Sequence, residues 1–229
     1  MIFRALTLAA AVAGASVGAV GAQNAPPAAT APSEPARQDA QTVIARMLAR
    51  NAGLESYTVR VHVHMRTNLP FVDPNLDGTA YYKRPDNFAV VFDRVPSYGK
   101  GFQKLFDDVG DPTAWEKDSN IKLVGIQQLD GHPMIVLDLT KKIYSDQTKD
   151  TVVYVDPATY ELAEMQWNYT NGDVIVMKQT YSVENGFTVV SAQHVDIHRR
   201  ILHATGDSHY DTYQTNVAVS DAVFAKQQP

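Results

Sequence analysis

Polar and apolar residues alternate with a period of two over most of this chain, beginning at Ser56. Val59, Val61, Val63 and Met65 alternate with Arg60, His62, His64 and Arg66, which predicts a strand with one dry and one wet face. The pattern recurs at Phe88, Val90 and Phe92, at Ile135, Leu137 and Leu139, and at Met165, Trp167 and Tyr169. Turn-forming pairs punctuate the runs: Asp77-Gly78, Asp130-Gly131, Asn171-Gly172 and Asn185-Gly186. The last third predicts a long strand pair, near 187–203 and 208–219, joined through Gly206-Asp207. Roughly ten strands in an antiparallel meander follow from these cues.

Helical spacing replaces the alternation in two places. Ser33 is positioned to cap a helix starting near Glu34-Pro35, with Val43, Ile44, Met47 and Leu48 as its apolar stripe and Asn51-Ala52-Gly53 as its stop. Between residues 97 and 120, Phe102, Leu105, Phe106 and Val109 read as helical, while Gly99, Gly101, Gly110 and Pro112 interrupt them. This stretch is expected to be an irregular helical insertion that covers something. A sheet with one apolar face can close into a barrel, form a sandwich or curl around helices. With one amphipathic helix and one insertion available, a curved sheet closed by those two elements is the economical solution. The expected class is therefore mainly β with a few helices (α+β).

Residues 1–22 carry a single cation, Arg4, then an uncharged Ala/Val/Leu/Gly run ending Val20-Gly21-Ala22, which reads as a secretory signal cleaved after Ala22. No Cys follows, so it is not a signal of the acylated-cysteine kind. Residues 23–35 are rich in Ala and Pro and read as a disordered spacer. A single domain over 36–224 and a short tail, 225–229, complete the expected organisation. The 229 residues are 45% hydrophobic and 20% charged, a globular composition. Twenty Lys and Arg against 25 Asp and Glu leave a net charge of −5, which argues against binding nucleic acid through its phosphates. The absence of Cys excludes disulfides, thiolate nucleophiles and Cys-ligated zinc.

Catalytic signals are weak. Gly14-Ala-Ser16-Val-Gly18 matches G-x-S-x-G but lies within the signal segment, not on a strand–turn–helix elbow. His62 and His64 share a strand face at about 7 Å, and His194, Asp196 and His198 share another, yet neither set completes a metal's ligands. Asp107, Asp108, Asp111 and Asp118 lack the spacing of a calcium loop and read as a solvated acidic stretch. The aromatic residues Tyr81, Tyr82, Phe92, Trp167 and Tyr169 suit a core or a cavity wall equally. No enzyme activity, cofactor or metal is expected.

The segment Gly78-Thr-Ala-Tyr-Tyr-Lys83-Arg84-Pro85-Asp-Asn-Phe88 resembles the G-x-x-x-x-K-R-P-x-x-F signature of the periplasmic lipoprotein carrier LolA and its relatives. The signal segment, the helix before the first strand and the ending Tyr213-Gln-Thr-Asn216-Val217-Ala-Val219-Ser-Asp221-Ala-Val-Phe224 are similar to the wider outer-membrane lipoprotein-sorting superfamily. Where such carriers have a D-G-x-x-x-W-x-Y hairpin, this chain has Tyr98-Gly-Lys-Gly-Phe-Gln-Lys. The resemblance implies an open half-barrel covered by the helix and the insertion, working in the periplasm as a monomer. It further implies a lipid or lipoprotein acyl chain as ligand, and an envelope membrane protein as a further partner. Val61, Val63, Phe88, Val90, Phe92, Leu137 and Trp167 would line its apolar concavity, and Arg84 would bond to the lid and gate it. The alternative is an interaction or sensor module with the same sheet and a filled interior.

Overall fold

The computed structural model describes residues 39–69, 73–85, 87–94, 112–143 and 148–225. Among them, ten strands run as β1 (Ser56–Thr67), β2 (Asn75–Lys83), β3 (Asn87–Phe92), β4 (Ser119–Leu129), β5 (His132–Lys141), β6 (Thr148–Val155), β7 (Leu162–Tyr169), β8 (Val174–Glu184), β9 (Phe187–His198) and β10 (His203–Thr215). They are joined by α1 (Ala40–Ala49), α2 (Pro112–Asp118) and the single turn α3 (Ala222–Ala225). The strands form one antiparallel sheet in the order β3-β2-β1-β10-β9-β8-β7-β6-β5-β4. Because β1 pairs with both β2 and β10, the first and last strands are neighbours and the free edges are β3 and β4. The sheet is an open half-barrel, as expected.

Two of the glycine pairs do not turn the chain. Asp77-Gly78 lies inside β2, where Gly78 faces Val61 on one side and Phe92 on the other. A Cβ there would sit 2.7 Å from the Val91 carbonyl oxygen, so close strand approach, not a reversal, demands glycine. Gly206-Asp207 lies inside β10, and the β9–β10 reversal falls at Arg199 to Leu202. By contrast Asp130-Gly131 and Asn185-Gly186 are true hairpin tips, with φ of 50° and 83° and of 53° and 83° respectively.

The first helix starts later than Ser33. Its cap is Asp39, whose carboxylate accepts from Thr42 N at 2.7 Å, and residues 33–38 lie outside the described set. Of the insertion, only Pro112–Asp118 is described as helix, and Ser119 already belongs to β4. Phe102, Leu105, Phe106, Val109 and the aspartates Asp107, Asp108 and Asp111 lie outside the described residues, as do the signal segment and spacer.

The inner face divides into two cores. Val59, Val61, Val63, Met65, Leu76, Val90, Phe92, Ile175 and Ile197 pack together around β1. Val43, Ile44 and Met47 of α1 and Trp115 of α2 press on Ile135, Leu137, Leu139, Val153, Val155, Met165 and Met177.

Candidate functional site

Between these cores, at the sheet end where α1 runs into β1, lies a cavity of about 380 Å³. Antiparallel pairing brings its walls together from distant sequence: Tyr57 faces Tyr82, and Tyr181 faces Val190. Met47, Leu48, Leu54, Phe88, Leu162 and Val189 supply apolar wall, and Trp115 closes the α2 side. Tyr57 stacks on Tyr82 with centroids 5.2 Å apart and meets Tyr213 edge-on at 5.4 Å.

The remaining wall is polar: the Arg50 and Arg84 guanidiniums and a set of neutral side chains. Tyr210 Oη donates to Gln193 Oε1 at 3.1 Å, and Tyr213 Oη to the Val190 carbonyl at 2.6 Å. Tyr181 Oη is within reach of the Leu162 carbonyl, 3.1 Å, and of Gln179 Oε1, 2.8 Å. Burial pushes all three hydroxyls well above their usual value of 10.0, so they remain neutral donors. The result is an amphipathic chamber.

Its roof is the segment from Arg50 to Glu55, which is fastened to four strands or turns. Arg84 Nε and Nη2 donate to the carbonyls of Leu54, 3.1 Å, and Asn51, 2.8 Å. The Asn51 side chain exchanges two bonds with the Thr188 backbone, at 2.6 and 3.1 Å. Asn216, held at φ 54°, accepts from Glu55 N at 2.8 Å and donates to the Gly53 carbonyl at 3.1 Å. Arg50 pairs with Glu161 at 3.1 Å. The Asn51 carbonyl also accepts from Leu54 N at 2.9 Å, so Arg84 adds a second donor to it.

Of the seven residues expected to line the concavity, Phe88 does so. Val61, Val63, Val90 and Phe92 are consumed in the β1 core, Leu137 lies beneath α1, and Trp167 wedges between the two cores. Strand parity places a side chain on the inner face but does not say whether another side chain already fills the space above it. Arg84 borders the cavity and donates to the Leu54 and Asn51 carbonyls between α1 and β1. Gln193, Tyr210, Tyr213, Tyr181 and Asn51 went unrecognised. Gln193 carried a usable signal, being an amide in phase with the apolar Val189 and Ile197 of the same strand.

The histidines belong to the other face. His62 Nδ1 lies 2.6 Å from Asp77 and its Nε2 lies 3.3 Å from Asp211, while His194 Nδ1 lies 2.6 Å from Asp207. His64 pairs with Asn75 at 2.7 Å. They form cross-strand polar ladders on the outside of the sheet.

No family model and no curated protein matches this sequence. Solved structures do share the fold. A LolA superfamily protein from Nitrosomonas europaea aligns with TM-score 0.62 at 12% identity, over 82% of this chain and 97% of that one. A domain named for outer membrane lipoprotein sorting, from Vibrio parahaemolyticus, gives 0.64 at 9%, over 80% and 95%. A DUF1329 family protein from Desulfovibrio piger gives 0.63 at 13%, over 82% and 98%. The fold is LolA-like.

Proposed function

We propose that this chain is an exported, non-enzymatic carrier that holds the acyl chain of a lipid or lipoprotein in the cavity beneath the Arg50–Glu55 roof. The observation that carries the proposal is the cavity itself, walled by apolar and aromatic side chains in a fold whose other inner surface is packed. Its volume falls in the range of about 300–1,000 Å³ usual for small-molecule sites. Each buried methylene contributes roughly 0.8 kcal/mol before ordering costs, so one chain reaches useful affinity without any reacting group. The segment at residues 1–22 supports a periplasmic location, and the lipoprotein-sorting name of one structural neighbour supports the class of cargo. The protein acts as a monomer and exchanges cargo with an envelope membrane protein. Arg84 gates the chamber: the roof swings out only when its two bonds to the Asn51 and Leu54 carbonyls break, so it biases a closed state over an open one.

Native mass spectrometry and lipid extraction of the protein purified from an envelope fraction test this. One acyl-bearing molecule per chain is the expected result. Protein free of lipid that shows no saturable uptake of a fluorescent fatty acid would overturn it in favour of an interaction module.

A further inference from the structure

We infer that the occupant is anionic and that Arg84 receives its charge; the inference rests on the carrier reading above and narrows its ligand class. Among the described residues, the cavity wall holds two guanidiniums and no carboxylate. Arg50 is already answered, 3.1 Å from Glu161 and 5.0 Å over the Tyr181 ring. Arg84 is not. Its two bonds go to neutral backbone carbonyls, and no carboxylate among the described residues forms an ion pair with it. The adjacent Lys83 takes Asp221 instead. Among the described residues, the chamber thus keeps a positive charge, in a chain whose formal net charge is −5.

A half-buried guanidinium answered only by dipoles gains most from an anion, and its fork of five N–H donors exceeds the two bonds made here. A pure hydrocarbon would leave that guanidinium without a counter-charge. A single-chain amphiphile with a carboxylate or phosphate head supplies one, with its tail against Met47, Leu48, Leu54, Phe88 and Val189.

Displacement of the neutral probe N-phenyl-1-naphthylamine by decanoate, decyl phosphate and decanol provides the test. In the wild type, both anions should displace the probe at roughly tenfold to a hundredfold lower concentration than decanol, the range for one hydrogen bond to a charged group. Arg84→Gln, shown by thermal melting to be folded, should bring that ratio within about twofold, and Arg84→Lys should keep part of it. Stronger displacement by decanoate assigns a carboxylate head and by decyl phosphate a phosphate head; either supports the anionic site. Equal displacement by decanol in the wild type overturns the inference while leaving the carrier reading intact. A ratio unchanged in folded Arg84→Gln removes Arg84 from the role. Failure of all three compounds and of the probe to bind defeats the carrier reading and this inference together.

Discussion

The two halves of the inner sheet face solve the same burial problem by different means. Around β1 the strands cover themselves: Phe92, Tyr210 and small residues such as Ala80 and Ala204 pack in one cluster drawn from six strands, with no helix of the described residues in it. Around β5 to β8 the strands are covered from outside, by Val43, Ile44 and Met47 of α1 and by Trp115 of α2. The chamber lies along the seam, where the self-packed half runs out of side chains and the helical cover has turned into the Arg50–Glu55 roof. The chamber is therefore a boundary between two ways of filling a core.

Truncations on either side should expose that difference. Ile44→Ala removes a side chain 2% exposed at the centre of the helical cover, and should cost about 2–5 kcal/mol in urea unfolding. Amide exchange should then accelerate in β5 and β6 while β1 and β10 stay protected; uniform acceleration would show that the two cores are one. Gln193→Leu takes the acceptor from the buried Tyr210 hydroxyl on the chamber wall, with an expected loss of about 1–3 kcal/mol by the same method. Restoration by the further change Tyr210→Phe would identify the unpaired hydroxyl as the cause.

Arg84→Leu should cost less, roughly 1–2 kcal/mol for two bonds to neutral carbonyls, yet should speed ligand release measured by stopped flow. Unchanged release would mean that the other attachments of the roof, at Thr188, Asn216 and Glu161, hold it without Arg84. The smallest effect concerns the outer face. The His194 ring bonded to Asp207 holds that carboxyl below its usual value of 3.8, with Arg66 adding to the effect. A carboxyl lowered in the folded state contributes stability that is present above the unfolded value and lost as pH falls through the folded one. Asp207→Asn should therefore narrow the gap to wild type in thermal melts only below about pH 4, leaving the chamber's binding untouched.

The strands and their inward faces were legible because burial on one side of a sheet imposes a period of two, as at Val59 through Met65. Arg84 stood out through its motif, while the carbonyls of Asn51 and Leu54 that it bonds carry no sequence signal. What alternation does not encode is occupancy: Val61 and Phe88 share an inward phase, yet one is sealed at 0% exposure and the other faces the chamber. Glycine was misread where it answers to a neighbouring strand, as at Gly78, because a Gly before a close approach and a Gly in a turn look alike in sequence. Asn51 and Asn216 were missed for a related reason. Each bonds to backbone more than a hundred residues away, and no local pattern records that partner.

The central claim is that an acyl chain enters the seam beside Trp115. The chain has two tryptophans, Trp115 and Trp167, so Trp167→Phe leaves the cavity-wall indole as the sole reporter. Titrating this variant with a terminally brominated decanoate should quench its emission saturably, to one site per chain, because heavy-atom quenching requires contact. Quenching that merely rises linearly, as it would for free tryptophan amide, would contradict the account.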